Sequence, residues 1–85
     1  MSDFYSSQEL EQLAQRGVRV LFPEQTAIRR DVDLQQIESG AVLHPGTRLQ
    51  GQSTRVLVGA EIGPGGYVFL EDSVVGPGAI VGAQG

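Results

Sequence analysis

The 85-residue sequence contains no cysteine and no tryptophan, and only 6% of its residues are aromatic. Without cysteine, neither a disulfide nor a thiolate-bound metal can supplement the hydrophobic core. A chain of this length buries only about 60 to 65% of its unfolded surface on folding, so a lone copy would be marginally stable. We therefore expect one small domain that is stabilised further by stacking or by homo-oligomerisation.

Positive charge is also scarce, because six arginines and no lysine stand against ten acidic residues and leave a net charge of −4. A protein that binds the nucleic-acid backbone needs a basic surface, so we expect no nucleic-acid partner. The N-terminal stretch lacks the basic and apolar blocks of a signal peptide, and the apolar runs are too short to cross a bilayer. The sequence thus predicts a cytoplasmic protein with no membrane partner.

Residues 1–25 have the pattern of a capping helix followed by a strand. Ser6 and Glu9 match the capping box that begins many helices, and Gly17 suits the left-handed position that ends them. The strand should end at Pro23, because proline cannot donate to a ladder. Its inward residues are predicted to be Val18, Val20 and Phe22.

The predicted helix should dock on the body that follows it. Leu10, Leu13 and Ala14 share one helical face by their spacing. About three turns are too few for a stable isolated helix, so the stability of this one must come from the docking contact. A helix that binds a partner protein is the alternative interpretation.

Residues 26–85 are marked by an aliphatic residue that returns every six or seven positions over most of their length. The predicted inward positions are Ile28, Val32, Leu34, Leu43, Leu49, Val56, Ile62, Val68 or Phe69 or Leu70, Val75 and Val81. A period of six fits neither a helix nor one long alternating strand, so it indicates short strands joined by tight corners.

Glycine and small residues mark the predicted corners, and eleven of the twelve glycines lie from Gly40 onward. The pairs Pro45-Gly46, Pro64-Gly65 and Pro77-Gly78 suit the central positions of type II turns. Single-residue slips in the spacing are expected near Arg55 and around residues 70–73. The small inward residues beside the corners are predicted to be Thr47, Ser53, Ala60, Gly66 and Ala79.

Together these features predict a mainly β fold, a single-stranded parallel β-helix of about three coils with an N-terminal capping α-helix. Three six-residue faces would give a coil of about 18 residues. Residues 1–25 form the cap and residues 26–85 the hexapeptide-repeat body. The repetition stops at "GAIVGAQG" without a polar cap, which leaves strand edges open to another chain. We favour a fragment truncated at its C-terminal end over an end that a partner covers.

Three segments carry a family resemblance, namely "GVRVLFPEQTAIRRDVDL", "IESGAVLHPGTRLQGQSTRVLVGAEIGPG" and "LEDSVVGPGAIV". They resemble the left-handed β-helix region of bacterial N-acetylglucosamine-1-phosphate uridyltransferases, including the bifunctional uridyltransferase/acetyltransferase and shorter UDP-N-acetylglucosamine pyrophosphorylase-like proteins. The resemblance implies left-handed coils and a homotrimer of parallel prisms. For the full-length enzyme it implies a sugar phosphate or sugar nucleotide as substrate, with acetyl-coenzyme A or UTP with Mg²⁺ as cofactors.

The catalytic motifs of that family have no counterpart in this sequence. The family binds its nucleotide on an N-terminal α/β domain with a Gly-rich loop, and its acetyltransferase chemistry uses later coils with a histidine base. The resemblance therefore implies an N-terminal β-helix segment that serves as scaffold and oligomerisation surface. The alternative is a free-standing structural or interaction module that assembles by β-helix stacking.

His44 is the single imidazole and hence a weak candidate for a catalytic base. A base would need an orienting carboxylate and a nucleophile within reach, whereas "HPGT" predicts an exposed corner residue. The stretch "GAEIGPGG" lacks the lysine and the helix of a phosphate-binding loop. We assign no catalytic, cofactor-binding or metal residue, and expect solvated faces for Asp31, Asp33, Glu61, Glu71 and Asp72.

Overall fold

The chain folds into stacked coils of short strands, and the recurring aliphatic residues point into the coils. A computed structural model describes residues 3–82, so the predicted end of the repeat at residues 83–85 lies outside the described residues. The strands are β1 (Arg19–Val20), β2 (Ala27–Ile28), β3 (Val42–Leu43), β4 (Thr47–Gln50), β5 (Arg55–Val56), β6 (Glu61–Ile62), β7 (Val68–Glu71), β8 (Val74–Val75) and β9 (Ile80–Val81).

These strands form three parallel sheets, one on each face of the solenoid. The first face is β1-β3-β6-β9, the second is β2-β4-β7 and the third is β5-β8. On the third face Ile37 forms a further parallel bridge to Val56, so three coils contribute there as well. The predicted parallel β-solenoid of about three coils is thus confirmed.

Each coil is longer than the predicted 18 residues. Leu43 pairs with Ile62 and Ile62 pairs with Val81, so these coils advance by 19 residues. The first coil is longer still, since Val20 pairs with Leu43. It contains two 3₁₀ turns, Pro23–Gln25 and Leu34–Gln36, at its corners. Corner insertions therefore stretch the coil while the inward residues stay in register.

The predicted inward residues form the core. Full burial is seen for Ile28, Val32, Leu43, Leu49, Val56 and Ile62, and also for Ile37, which the spacing missed. Leu34 and Val81 are partly buried against this cluster. The undecided position is settled by the register of β7, which places Val68 over Thr47 and Leu70 over Leu49. Both therefore lie on the inward side, whereas Phe69 is 56% exposed.

The three Pro-Gly corners adopt the predicted turns. Gly46, Gly65 and Gly78 have φ values of 89°, 93° and 68°, as the third residue of a type II turn requires. The prediction of Ser53 as an inward residue is wrong, because Ser53 is exposed and Thr54 is fully buried. The step from Leu49 to Val56 contains one extra corner residue, which shifts the inward position from Ser53 to Thr54.

The N-terminal helix begins and ends as predicted. It runs as α1 (Ser7–Glu11) and continues as a 3₁₀ helix (Gln12–Arg16), with both hydrogen bonds of the capping box between Ser6 and Glu9. Gly17, with φ 81°, and Val18 make the two backbone bonds of a Schellman ending. Ala14 is exposed, contrary to prediction, because the three-residue turn stacks Leu13 over Leu10 and carries Ala14 away.

Gly17 also begins a column of corner glycines that runs up the solenoid. The N–H of Gly40 donates to the carbonyl of Gly17 over 2.7 Å, and the N–H groups of Gly59 and Gly78 donate to the corner below each of them. All four glycines have positive φ. The residue that ends the helix therefore sets the position of the first corner.

The helix covers the first coil, as predicted. The hydroxyl of Tyr5 donates to the carbonyl of Val32 over 2.8 Å, and burial raises the pKa of this phenol. The guanidinium of Arg16 donates to the carbonyl of Leu34 over 2.7 Å. Phe22 is 52% exposed, contrary to prediction, because the chain leaves the strand for a 3₁₀ turn at Pro23. Within residues 3–82 the helix is too short and too polar to cross a membrane.

Candidate functional site

The outer surface of the first face pairs His44 with Glu61. His44 follows β3 and Glu61 opens β6, the next strand up, so the parallel register brings their side chains together. The Nε2 atom of His44 lies 2.5 Å from Oε2 of Glu61. The expectation of an exposed corner residue is not met, because the His44 side chain is only 23% exposed and has a carboxylate partner.

The backbone around His44 is fixed on both sides. Its N–H donates to the carbonyl of Ile62 over 2.8 Å, and its carbonyl accepts from the hydroxyl of Thr47 over 2.8 Å. Gly63 lies beside it, since a Cβ on Gly63 would be 3.2 Å from the Cβ of His44. The imidazole is therefore held in place by the corner as well as by Glu61.

Catalysis by a base-activated nucleophile needs a nucleophile, a base such as histidine and a group that orients the base. His44 and Glu61 are of the types that serve as the base and the orienting group. In the described chain, however, the ring of His44 is hydrogen-bonded to Glu61 alone. The nearby hydroxyl of Thr47 is a donor to main-chain carbonyls and hence is not positioned as a nucleophile. His44 and Glu61 therefore form a hydrogen bond that joins two coils, and His44 stays a weak catalytic candidate.

A shallow depression of about 230 Å³ lies at the corner that follows His44. Its lining residues are Gln25, Pro45, Gly46, Gly66 and Tyr67. The ring of Tyr67 packs against Gly46, where a Cβ would lie 2.9 Å from Cδ1 of the ring. The volume is below the roughly 300–1,000 Å³ of typical ligand pockets, and no charged side chain among residues 3–82 lines the depression.

Sequence reasoning missed this depression because Tyr67 lies in a corner that was expected to be short. Ile62 and Leu70 occupy equivalent inward positions on successive faces, and the eight-residue step between them inserts two residues. The signal was present as the run Gly65-Gly66 after Pro64, which lengthens a corner that needs only one glycine.

Most of the acidic residues that we expected on solvated faces make structural hydrogen bonds. Asp31 accepts from the N–H of Gly51 over 3.0 Å, Asp33 from the N–H of Gln35 over 2.9 Å, and Asp72 from the N–H of Ser53 over 3.2 Å. Across residues 3–82, no three histidine or carboxylate side chains converge on a point where a metal ion could bind.

Two curated relatives are similar to this chain over most of its length. Each is a "Bifunctional protein GlmU" from one of two strains of Thermus thermophilus, and each is 41% identical over 66 residues. The match covers 78% of this chain but only 13% of each relative. No protein-family model matches the chain, and no solved structure matches it significantly. The parallel coils, the hexapeptide spacing and this identity fit a hexapeptide-repeat region of GlmU-like proteins.

Proposed function

We propose that the chain is the first β-helix segment of a cytoplasmic sugar-nucleotide transferase of the GlmU type, in which it serves as scaffold and oligomerisation surface. The observation that carries the proposal is the 41% identity over 66 residues, which make up 78% of a chain that folds as one parallel solenoid. By resemblance the whole enzyme would be a homotrimer that transfers uridylyl and acetyl groups on amino-sugar phosphates.

A scaffold role is supported by the lining of the depression beside His44, which lacks the groups that would bind the family's cofactors. Acetyl-coenzyme A and UTP with Mg²⁺ both carry phosphates, which proteins bind with arginine, lysine or a cradle of N–H groups. The depression beside His44 is lined by glutamine, proline, glycine and tyrosine, so it does not fit either group. We therefore assign no catalytic step to this chain, and propose that the chemistry lies in other parts of the enzyme.

An oligomerisation role is supported by apolar side chains on the outer sides of the first and third faces. Ile80 on the first face is 68% exposed and Val74 on the third is 59% exposed. Contact with another subunit would remove these apolar side chains from water, which favours association. Burial of such groups would also add to a core that is marginal at this size.

A chimera tests the scaffold proposal directly. The 66-residue match in the Thermus thermophilus protein is replaced by the corresponding segment of this chain, and both transferase activities of the chimera are assayed. We expect the chimera to keep both activities and the oligomeric state of its parent. The matched control carries Val56→Asp in the grafted segment, which removes the buried packing of the coil and should abolish assembly.

Measurements on the chain alone, taken together with the chimera, separate the scaffold from the free-standing module. Sedimentation velocity at micromolar concentration should show a defined homo-oligomer, and a well-folded monomer would contradict the oligomerisation role. Transfer of uridylyl or acetyl groups by the chain alone would overturn our exclusion of a catalytic site. An oligomeric chain whose chimera is inactive would favour the free-standing interaction module.

A further inference from the structure

The outer surface of the second face carries a stack of arginine and aromatic side chains. The Cζ atom of Arg48 lies 5.2 Å from the ring centroid of Phe4 and 5.7 Å from that of Phe69. The Cζ atom of Arg29 lies 5.9 Å from the same Phe4 ring. We call these four residues the arginine–aromatic stack.

The strand register builds this stack. Phe4 forms an antiparallel bridge to Arg29 at the first coil, and Arg48 pairs with Phe69 between the second and third coils. Arg48 lies between the buried residues Thr47 and Leu49, so alternation along β4 turns its side chain outward. The stack therefore extends over all three coils on the second face, which contains the four-residue strands β4 and β7.

The stack concentrates positive charge in an acidic protein. Two guanidinium groups lie over the ring of Phe4. Within residues 3–82, the one ion pair of Arg29 is with Asp31, whose Oδ2 atom lies 3.9 Å from Nε of Arg29. Within residues 3–82, Arg48 makes no ion pair and no side-chain hydrogen bond, although the chain carries ten acidic residues. The positive charges of Arg29 and Arg48 are therefore not fully compensated by the described part of the chain.

Stacking also leaves the binding groups of Arg48 available. Contact between the Arg48 cation and the two rings uses none of its N–H donors in a hydrogen bond to a carboxylate, so these donors can still form a bidentate pair with one. The two rings restrict the side chain of Arg48, so less conformational freedom is lost when such a pair forms. Phe69, which is 56% exposed, supplies an apolar contact next to this fork.

We propose that the arginine–aromatic stack binds a carboxylate-bearing segment of a partner polypeptide. The carboxylate accepts two hydrogen bonds from Arg48, and an apolar side chain of the partner packs on Phe69. A polypeptide fits better than a free phosphate because the surface combines the charge with a large exposed ring. A nucleic acid is disfavoured by the net charge of −4.

The test is a titration of the ¹⁵N-labelled chain by nuclear magnetic resonance. The probe is a capped peptide of four glutamates around one phenylalanine, and its control has glutamines in place of the glutamates. We expect saturable shifts of the Arg48 Nε–H and the Phe69 amide with the glutamate peptide only. Shifts of equal size with inorganic phosphate at matched ionic strength would show a general anion site and overturn the proposal.

Two arginine variants locate the binding to the stack. Arg48→Lys keeps the charge but loses the planar fork, and should weaken binding at least about fivefold. Arg55→Lys is the matched control, because Arg55 precedes the buried Val56 on the third face as Arg48 precedes Leu49 on the second. It should change the affinity less than about twofold. Equal weakening by both variants, or no saturable shift at all, would refute the proposal.

Discussion

Gly51 on the second coil lies directly against Asp72 on the third. A Cβ on Gly51 would be 2.6 Å from Cγ of Asp72 and 2.7 Å from its amide nitrogen. Asp72 is itself the one described non-glycine residue with positive φ, at 48°. From the first coil, Asp31 accepts from the N–H of Gly51 over 3.0 Å. This corner is therefore fixed by carboxylates of the coils on both sides.

The first prediction concerns Gly51→Ala. The added methyl group meets backbone and carboxylate atoms of Asp72, and Gly51 has φ 102°, so the change should cost at least about 2 kcal/mol of unfolding free energy. The control is Gly76→Ala, where a Cβ would meet no atom within 4 Å. Urea unfolding measures both variants, and equal stability of the two would contradict the close approach of the coils.

The second prediction concerns the inward and outward valines of the third face. Val56 is fully buried, so Val56→Asp places an unpaired charge in the core and should destabilise the chain by at least about 3 kcal/mol. Val74, which is 59% exposed in the neighbouring strand, is the control. At a protein concentration low enough to keep the chain monomeric, where Val74 contacts no other subunit, Val74→Asp should change the stability by less than about 0.5 kcal/mol. Thermal melting by circular dichroism separates the two, and an unchanged melting temperature for Val56→Asp would refute the inward assignment.

The coil was predictable because it depends on local rules. Leu43, Leu49 and Ile62 repeat at the spacing of the corners, and a Pro-Gly pair fixes three of the turns without help from distant residues. Corner length was less predictable. The extra residue before Thr54 is tolerated because Asp31 and Asp72 hold the corner from neighbouring coils, and those contacts join residues about one coil apart.

The pairing of His44 with Glu61 was not predicted, although the sequence contained a signal for it. The two residues are 17 positions apart, close to the length of one coil, and both lie on the outer side of the first face. A search for a histidine and a carboxylate about one coil apart on the same outer face would have found them. The stack of Phe4 on Arg48 was beyond sequence reasoning, because it depends on how the N-terminal segment returns to bridge Arg29.

The third prediction concerns Glu9 and pH. Hydrogen bonds from Arg30 and from the backbone of Ser6 lower the pKa of Glu9 from 4.5 to about 2. The folded state therefore binds the Glu9 proton less readily than the unfolded state does. The stability from this group is complete above about pH 4.5 and is lost as the pH falls towards 2.

Glu9→Gln tests this assignment, since glutamine can still accept from the N–H of Ser6 but cannot pair ionically with Arg30. We expect a smaller fall in melting temperature between pH 4.5 and pH 2 than in the unmodified chain. The control is Glu11→Gln, a change at an exposed position of the same helix, which should keep the full fall. Parallel curves for all three proteins would show that Glu9 is not responsible.

The fourth prediction concerns the free energy with which His44 and Glu61 couple the second and third coils. Their side chains are 23% and 35% exposed, so solvent screens the pair and the coupling energy should be about 0.5–1 kcal/mol. The measurement is a double-mutant cycle of His44→Asn and Glu61→Gln by urea unfolding at about pH 7. His44→Asn combined with Glu71→Gln is the control, because Glu71 lies on the outer side of another face, and these effects should add within about 0.3–0.5 kcal/mol. If the effects of His44→Asn and Glu61→Gln on the unfolding free energy added as closely as those of the control pair, the contact between His44 and Glu61 would contribute nothing to the stacking of the coils.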